Sequence, residues 1–118
     1  MSPYVAPGLK RIHPKLALMD SLTKYVASSH ATTVEALKSQ SRVKDIKNSR
    51  FICMYMLKKC TNMTYAYIGN YYNRDHASVI HAVQTVEFEK DYDRELKCYI
   101  RELKKYFDLQ ELRKPKKV

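Results

Sequence analysis

Apolar residues recur every three or four positions along most of this chain, and that spacing constrains the fold more than any other feature. The clearest stripe, within residues 44–61, consists of Ile46, Cys53, Met56, Leu57 and Cys60. Residues at such intervals share one face of an α-helix, so the pattern predicts a helix and not a strand. Two glycines among 118 residues are too few for the tight turns of an all-β meander. We therefore predict an all-α fold.

About six helices are expected within one compact domain. One is short, opened by a capping box at residues 32–35 and ending near Ser39. The others cover residues 14–29, 44–61, 64–72, 75–88 and 91–107. The domain is predicted to span residues 14–108, between an extended arm at 1–13 and a basic tail at 109–118.

The same stripes predict which side chains are buried. They select Leu18, Leu22, Tyr25, Val26, Val34, Leu37, Tyr65, Ile68, Tyr72, Val79, Ala82, Val83, Val86, Tyr92, Leu96, Tyr99, Ile100, Leu103 and Phe107. The three cysteines are odd in number and form no CxxC pair, so we expect buried thiols and neither a disulfide framework nor a zinc site. We also expect no metal, nucleotide or other cofactor.

The charge of the chain predicts a polyanionic partner. Lys and Arg number 22 against 12 acidic residues, which leaves a net charge of +10. Domains this basic commonly bind DNA, RNA or an acidic membrane surface. A surface kept basic only for solubility is the alternative. The segment SRVKDIKNSR concentrates cations, and we expect Lys44, Lys47 and Arg50 to add phosphate affinity there.

No membrane partner is expected, because the sequence contains no run of about 18 apolar residues. The first ten residues also lack the apolar core of a secretory signal. These features predict a cytoplasmic protein. His76 and His81 are five positions apart and not the four of a metal-binding helix pair, and no glycine-rich phosphate loop occurs. The expectation is a binding protein without catalytic activity.

Residues 64–86 have the form of a helix-turn-helix unit: a short helix, a turn of about three residues and a second helix. Five polar or small residues, Arg74, Asp75, His76, Ala77 and Ser78, are predicted in the first turn of the second helix. In such a unit that turn enters the major groove of DNA. Aspartate accepts from cytosine, histidine donates to guanine, and an alanine methyl contacts a thymine methyl. Ser78 could reach a base or a phosphate, and Arg74 a phosphate. Alternatively, Asp75 is only a helix cap, and Arg74 and His76 only solvated surface.

The segment RDHASVIHA resembles the RDH[ST]TV-[LI]-HA signature of the C-terminal, origin-binding domain of the bacterial replication initiator DnaA. The resemblance extends over residues 17–107, through a short helix at VEAL, a basic loop with an arginine, a long helix and the IG pair before the turn. It implies a six-helix, Trp-repressor-like domain with a helix-turn-helix. It also implies double-stranded DNA as the partner.

The resemblance also implies roles for single residues. Arg42 stands where the family places an arginine in the minor groove, and Lys58 where a lysine touches phosphate. Tyr65 and Ala66 stand where side chains pack against the backbone and thymine methyls. Asp75, His76 and Ala77 correspond to the base-reading triplet, and Ser78 to the hydroxyl that follows it.

The chain departs from the family pattern at several positions. Ala77 lacks the usual hydroxyl, and Tyr65-Ala66 replaces the commoner Leu-Pro. The turn is one residue shorter, with Asn73 where a Gly-Gly pair is common. His81 matches the second histidine of the signature and is expected to pack within its helix. With these differences the same docking mode is expected at a DnaA-box-like site, whereas an identical target sequence is not implied.

The family's ATPase domain has no counterpart here, because no Walker A loop occurs. The chain resembles the DNA-reading domain alone, as in small regulators of replication or transcription, many of them encoded by phages or mobile elements. Two alternatives stay open. One is a protein-interaction module on a replication, transcription or virion assembly. The other is a single-strand or RNA binder that stacks bases on Tyr65, Tyr67, Tyr71 and Tyr72, although the spacing of Ile68 and Tyr72 also suits the core.

Overall fold

A computed structural model of the protein describes residues 14–111 and contains six α-helices in that range. They are α1 (Pro14–Ser29), α2 (Val34–Leu37), α3 (Lys44–Cys60), α4 (Tyr65–Tyr72), α5 (His76–Glu89) and α6 (Arg94–Tyr106). The prediction of an all-α fold is confirmed. The arm predicted at residues 1–13 and the tail from residue 112 onward lie outside the described residues.

Helix α3 is the central element, and its middle is buried on every side. The six consecutive residues from Ile52 to Leu57 are all buried, whereas the sequence predicted a single buried stripe. A helix that is apolar all round belongs in the interior of a domain. Helices α1, α2, α4 and α5 contact α3.

A buried hydrogen bond connects α4 to α1. The hydroxyls of Tyr72 and Thr23 lie 2.6 Å apart, and Tyr72 is fully buried, as its spacing predicted. A buried hydroxyl needs such a partner because an unpaired one would lose its hydrogen bonds to water. The neighbouring Tyr71 hydroxyl donates to the Asp20 carboxylate. Both rings are therefore held within the helix packing.

Helix α6 begins later than predicted, and one residue of its predicted stripe is wrong. Asp93 is the N-cap, its carboxylate accepting a hydrogen bond from the Leu96 N–H at 3.1 Å. Tyr92 consequently precedes the helix and is 78% exposed. The cap overrides the apolar spacing, because a capping carboxylate satisfies an N–H that the helix leaves unpaired.

Two of the three thiols are buried as expected and one is not, and the folded part of the chain extends slightly beyond residue 108. Cys53 and Cys60 are buried as predicted, and burial raises the pKa of the Cys53 thiol to about 12. Cys98 is exposed. Leu109 packs against the core, and Glu111 accepts a hydrogen bond from Lys104 at 2.7 Å. Residues 109–111 thus lie with the folded domain and not with the predicted tail.

No helix between residues 14 and 111 combines the length and the apolar character needed to cross a bilayer.

The turn between α4 and α5 brings the backbone of Arg74 close to Gly69. Asn73 ends α4 in the left-handed region, with φ 59° and ψ 43°, which asparagine tolerates better than most residues. The Arg74 N–H donates to the Gly69 carbonyl at 2.8 Å. A Cβ at Gly69 would overlap the carbonyl oxygen of Arg74. Glycine at this position therefore permits the turn that orients α5.

Candidate nucleic-acid interface

Two of the five residues predicted in the first turn of α5, Arg74 and Asp75, precede the helix. The helix begins at His76, and Asp75 is its N-cap, accepting a hydrogen bond from the Ser78 N–H at 2.9 Å. That hydrogen bond lowers the pKa of the Asp75 carboxyl. His76, Ala77 and Ser78 form the first turn; His76 and Ala77 are exposed and Ser78 is half-buried. The capping role is thus present, and the base contact predicted for Asp75 stays a prediction.

Arg74 precedes the cap and lies outside the helix. Its Nη2 donates to the carbonyl of Ser39 at 2.9 Å, and its side chain is half-buried. One end of the guanidinium therefore joins the turn to the loop between α2 and α3. The phosphate contact predicted for Arg74 stays a prediction for a side chain that is anchored in this way.

Arg50 is not an exposed surface cation, and its predicted phosphate contact stays a prediction for a side chain that is buried. The residue is 2% exposed. Its Nε donates to the Leu37 carbonyl at 2.7 Å. Its Nη2 donates to the carbonyls of Ser39 and Ser41 at 3.1 and 3.2 Å. Burial, and then the charge of Arg74, lowers the pKa of Arg50. An arginine offers five donors in a rigid fork, and here the fork organises the backbone of the α2–α3 loop (residues 38–43).

The α2–α3 loop and the start of α5 meet at a concave surface, which we call the α5 groove. It is lined by Ser41, Arg42, Lys47, Arg50, Phe51, Arg74, Asp75, Ala77, Ser78 and His81. Arg42 and Lys47 are exposed. The fold thus brings cations from the loop and α3 beside the first turn of α5.

Three further predicted residues lie together where α3 meets α4. Lys58 Nζ donates to the Met63 carbonyl at 3.1 Å and lies 4.3 Å from the centre of the Tyr65 ring. Tyr65 begins α4 and is half-buried, and Ala66 is exposed. The Lys58 ammonium is therefore placed at the N-terminal end of α4, where backbone N–H groups also favour an anion.

Lys44 lies farther from the start of α5. It is exposed at the first residue of α3 and shares a hollow with Arg42, Lys47, Phe88 and Tyr92. Phe88 and Tyr92 are 65% and 78% exposed, with ring centres 5.0 Å apart. The sequence did not predict this exposed aromatic pair.

The sequence profile of the family described as "Bacterial dnaA protein helix-turn-helix" matches residues 19–86, a range that contains every residue lining the α5 groove.

The chain belongs to this family.

In DnaA proteins this domain is a DNA-binding module. The chromosomal replication initiator protein DnaA of Thermodesulfovibrio yellowstonii is 36% identical over 94 residues, which are 79% of this chain and 22% of that protein. The present chain thus spans about a fifth of the length of this relative.

Two solved structures share the fold. One, described as a DNA replication initiation factor, matches with a TM-score of 0.71 and 33% identity, over 84% of this chain and 31% of that one. The other is the replication initiator DnaA bound to AMPPCP and single-stranded DNA. It matches with a TM-score of 0.70 and 31% identity, over 84% of this chain and 30% of that one.

His81, the second histidine of the DnaA-like signature, lies at a position that the sequence did not predict. His81 was expected to pack within α5. Its ring does meet Phe51 edge-on, with centres 5.8 Å apart, but the residue is exposed and lines the α5 groove. Its spacing of four from Ala77 carried the signal, because residues four apart lie on the same helix face.

Within residues 14–111, no three His, Cys, Asp or Glu side chains are grouped so that they could hold a metal ion.

Proposed function

We propose that the protein binds double-stranded DNA with sequence preference through the α5 groove. The observation that supports this most directly is the juxtaposition of Arg42 and Lys47 with Ala77 and Ser78 in one groove, with His76 exposed in the same first turn of α5. Cations there would neutralise phosphates, and the exposed first turn of α5 would reach base edges.

The residues divide by their chemistry. His76 and Ala77 are exposed at the helix start and would contact bases, with Asp75, Ser78 and His81 beside them. Lys44, Lys47 and Lys58 would contact phosphates, with Tyr65 and Ala66 against the backbone next to Lys58. Arg42 would enter the minor groove, where an arginine is attracted by the negative potential of A·T-rich sequence.

The finer function we propose is that of a small regulator of replication or transcription acting at a DnaA-box-like site, without catalysis. Such a regulator would meet its DNA in the cytoplasm of a bacterial cell or of a bacterium that carries a phage or mobile element. Support comes from membership in the DnaA family and from the net charge of +10.

A second candidate is a protein-interaction module, and the exposed pair Phe88 and Tyr92 favours it, because contiguous exposed apolar surface commonly marks a protein contact. Single-strand stacking on the tyrosines has less support. Tyr72 is fully buried, and the Tyr71 hydroxyl is bonded to Asp20.

Duplex affinity should fall steeply with salt. Four exposed or half-buried cations are available at the proposed interface (Arg42, Lys44, Lys47 and Lys58), and Arg74 is a fifth. If about five phosphates are neutralised, the slope of log K against log salt should be about −4 to −5. Fluorescence anisotropy on a duplex selected from a random pool measures this slope. A single strand of the same sequence is the control. A flat response would favour the protein-interaction module.

The first turn of α5 should contribute to specificity more than to general affinity. His76→Ala is expected to cost about 1–3 kcal/mol on the selected duplex and little on random duplex, because base contacts specify. Lys58→Ala should weaken binding to the selected duplex and to random duplex similarly, and it should reduce the salt slope by about one. Lys97→Ala, at an exposed position of α6, is the matched control for Lys58 and should change neither the affinity for these duplexes nor the salt slope. Equal loss on every duplex for His76→Ala would contradict direct base reading.

A further inference from the structure

Three hydrogen bonds join the α4–α5 turn to the α2–α3 loop, although the partners are 33 to 35 residues apart in sequence. Asn73 Nδ2 donates to the Lys38 carbonyl at 3.2 Å. Gln40 Nε2 donates to the Asn73 carbonyl at 3.1 Å. Arg74 Nη2 donates to the Ser39 carbonyl at 2.9 Å. We call these three contacts the loop–turn clamp.

Asn73 is the residue on which the clamp depends most. Its left-handed backbone ends α4, its N–H donates to the Asn70 carbonyl, its side chain donates to Lys38 and its own carbonyl accepts from Gln40. Glycine would adopt the same backbone readily. Unlike glycine, asparagine adds a side-chain donor. The departure from a Gly-Gly turn therefore gives the turn a hydrogen bond to the α2–α3 loop.

The loop is also held from two other directions. Arg50 donates to the Ser39 carbonyl that Arg74 also uses. Lys38 Nζ lies 4.0 Å from the centre of the Tyr71 ring, and Tyr71 is bonded to Asp20 of α1. The loop that carries Arg42 is therefore fastened to the body that carries His76.

We propose that the loop–turn clamp makes the protein selective for the spacing between two parts of its DNA site, with Asn73 as the specificity-determining residue. The inference rests on the proposed function, in which Arg42 enters the minor groove and α5 reads the major groove. Adding one base pair between these parts displaces them by about 3.4 Å along the duplex and also rotates them. A free loop could follow that displacement, whereas a clamped loop must first break its hydrogen bonds.

The test compares the selected duplex with versions in which one base pair is inserted or deleted between the A·T-rich flank and the core. The wild type should lose affinity on both altered duplexes. Asn73→Gly should reduce that penalty by about 2- to 12-fold, the net value of one hydrogen bond. It should leave the salt slope unchanged. Gln40→Ala should act in the same direction without altering the turn backbone. Gln110→Ala, the same substitution at an exposed position of the C-terminal segment, is the control.

Amide hydrogen exchange in the free protein separates this inference from the proposed function. Exchange of residues 38–43 should accelerate in Asn73→Gly and Gln40→Ala and not in Gln110→Ala. An unchanged spacing penalty in both clamp variants, with the wild type binding normally, would overturn the inference alone. A wild type that binds no duplex at all would overturn the proposed function, and the inference with it.

Discussion

Replacing Arg50 with methionine is expected to lower the free energy of unfolding by about 2–4 kcal/mol. Methionine fills much of the same volume but supplies no donor. The carbonyls of Leu37 and Ser41 would each lose the hydrogen bond from Arg50, and Ser39 would keep only the one from Arg74. Because a buried acceptor left unpaired costs about 1–3 kcal/mol, the loop should also loosen. Urea denaturation followed by circular dichroism measures the change.

Lys47→Met is the matched control for this prediction. Lys47 lies on the same helix one turn earlier, but it is exposed in the α5 groove. Its replacement should change stability by no more than about 0.5 kcal/mol, as is usual for surface positions. It should weaken duplex binding and reduce the salt slope. If Lys47→Met proved as destabilising as Arg50→Met, the special role of the buried guanidinium would be refuted.

Gly69→Ala is expected to destabilise the protein by about 1–3 kcal/mol, although alanine is the better helix former by about 1 kcal/mol. The two effects have opposite signs. The steric effect should prevail, because the new Cβ would overlap the backbone carbonyl of Arg74, which cannot move without moving the turn. The turn orients α5, so affinity for the selected duplex should fall as well. Thermal unfolding and anisotropy give the two readouts.

Asn70→Ala is the control for the helix-propensity effect. Asn70 follows Gly69 in α4 and is exposed. Alanine there should leave stability within about 0.5 kcal/mol or raise it slightly. A stabilised Gly69→Ala protein would mean that the close approach between Gly69 and Arg74 is relaxed in solution.

The helix-turn-helix of this protein thus depends on residues outside the set proposed to contact DNA. Arg50 supports the loop from inside, Gly69 permits the tight turn, and Asn73 links the loop to the turn. The residues proposed to touch DNA are exposed or half-buried and can vary with the target sequence. Variants that prefer a different DNA sequence should therefore be made at Ala77 or His81, because neither residue belongs to the loop–turn clamp.

Local patterns predicted most of the secondary structure and the family. The stripe at Val79, Ala82, Val83 and Val86 is buried as predicted, because residues at those intervals lie on one face. Thr64 caps α4 as expected, accepting from the Tyr67 N–H at 3.0 Å. The RDHASVIHA segment indicated the family that the sequence profile confirms. These features need only residues that are near one another in the chain.

The hydrogen-bond partners of the long polar side chains could not be predicted in the same way. Arg50 looked like another cation in SRVKDIKNSR, yet it is buried with carbonyls 9 to 13 residues away. Arg74 and Asn73 reach partners 35 residues away. A flexible side chain bonds to whatever backbone the packing brings within reach, and that choice is not encoded in its local spacing.

The amino-acid sequence by itself determined the helices, the buried face of α5 and the family, because backbone hydrogen bonding, capping and apolar periodicity are local. Only the tertiary structure decided which cations face solvent and which hold the fold. It also decided that the α2–α3 loop and the start of α5 form one surface. The physical reason is that hydrogen bonds such as that of Asn73 to Lys38 join segments that meet only after α2, α3 and α4 have packed.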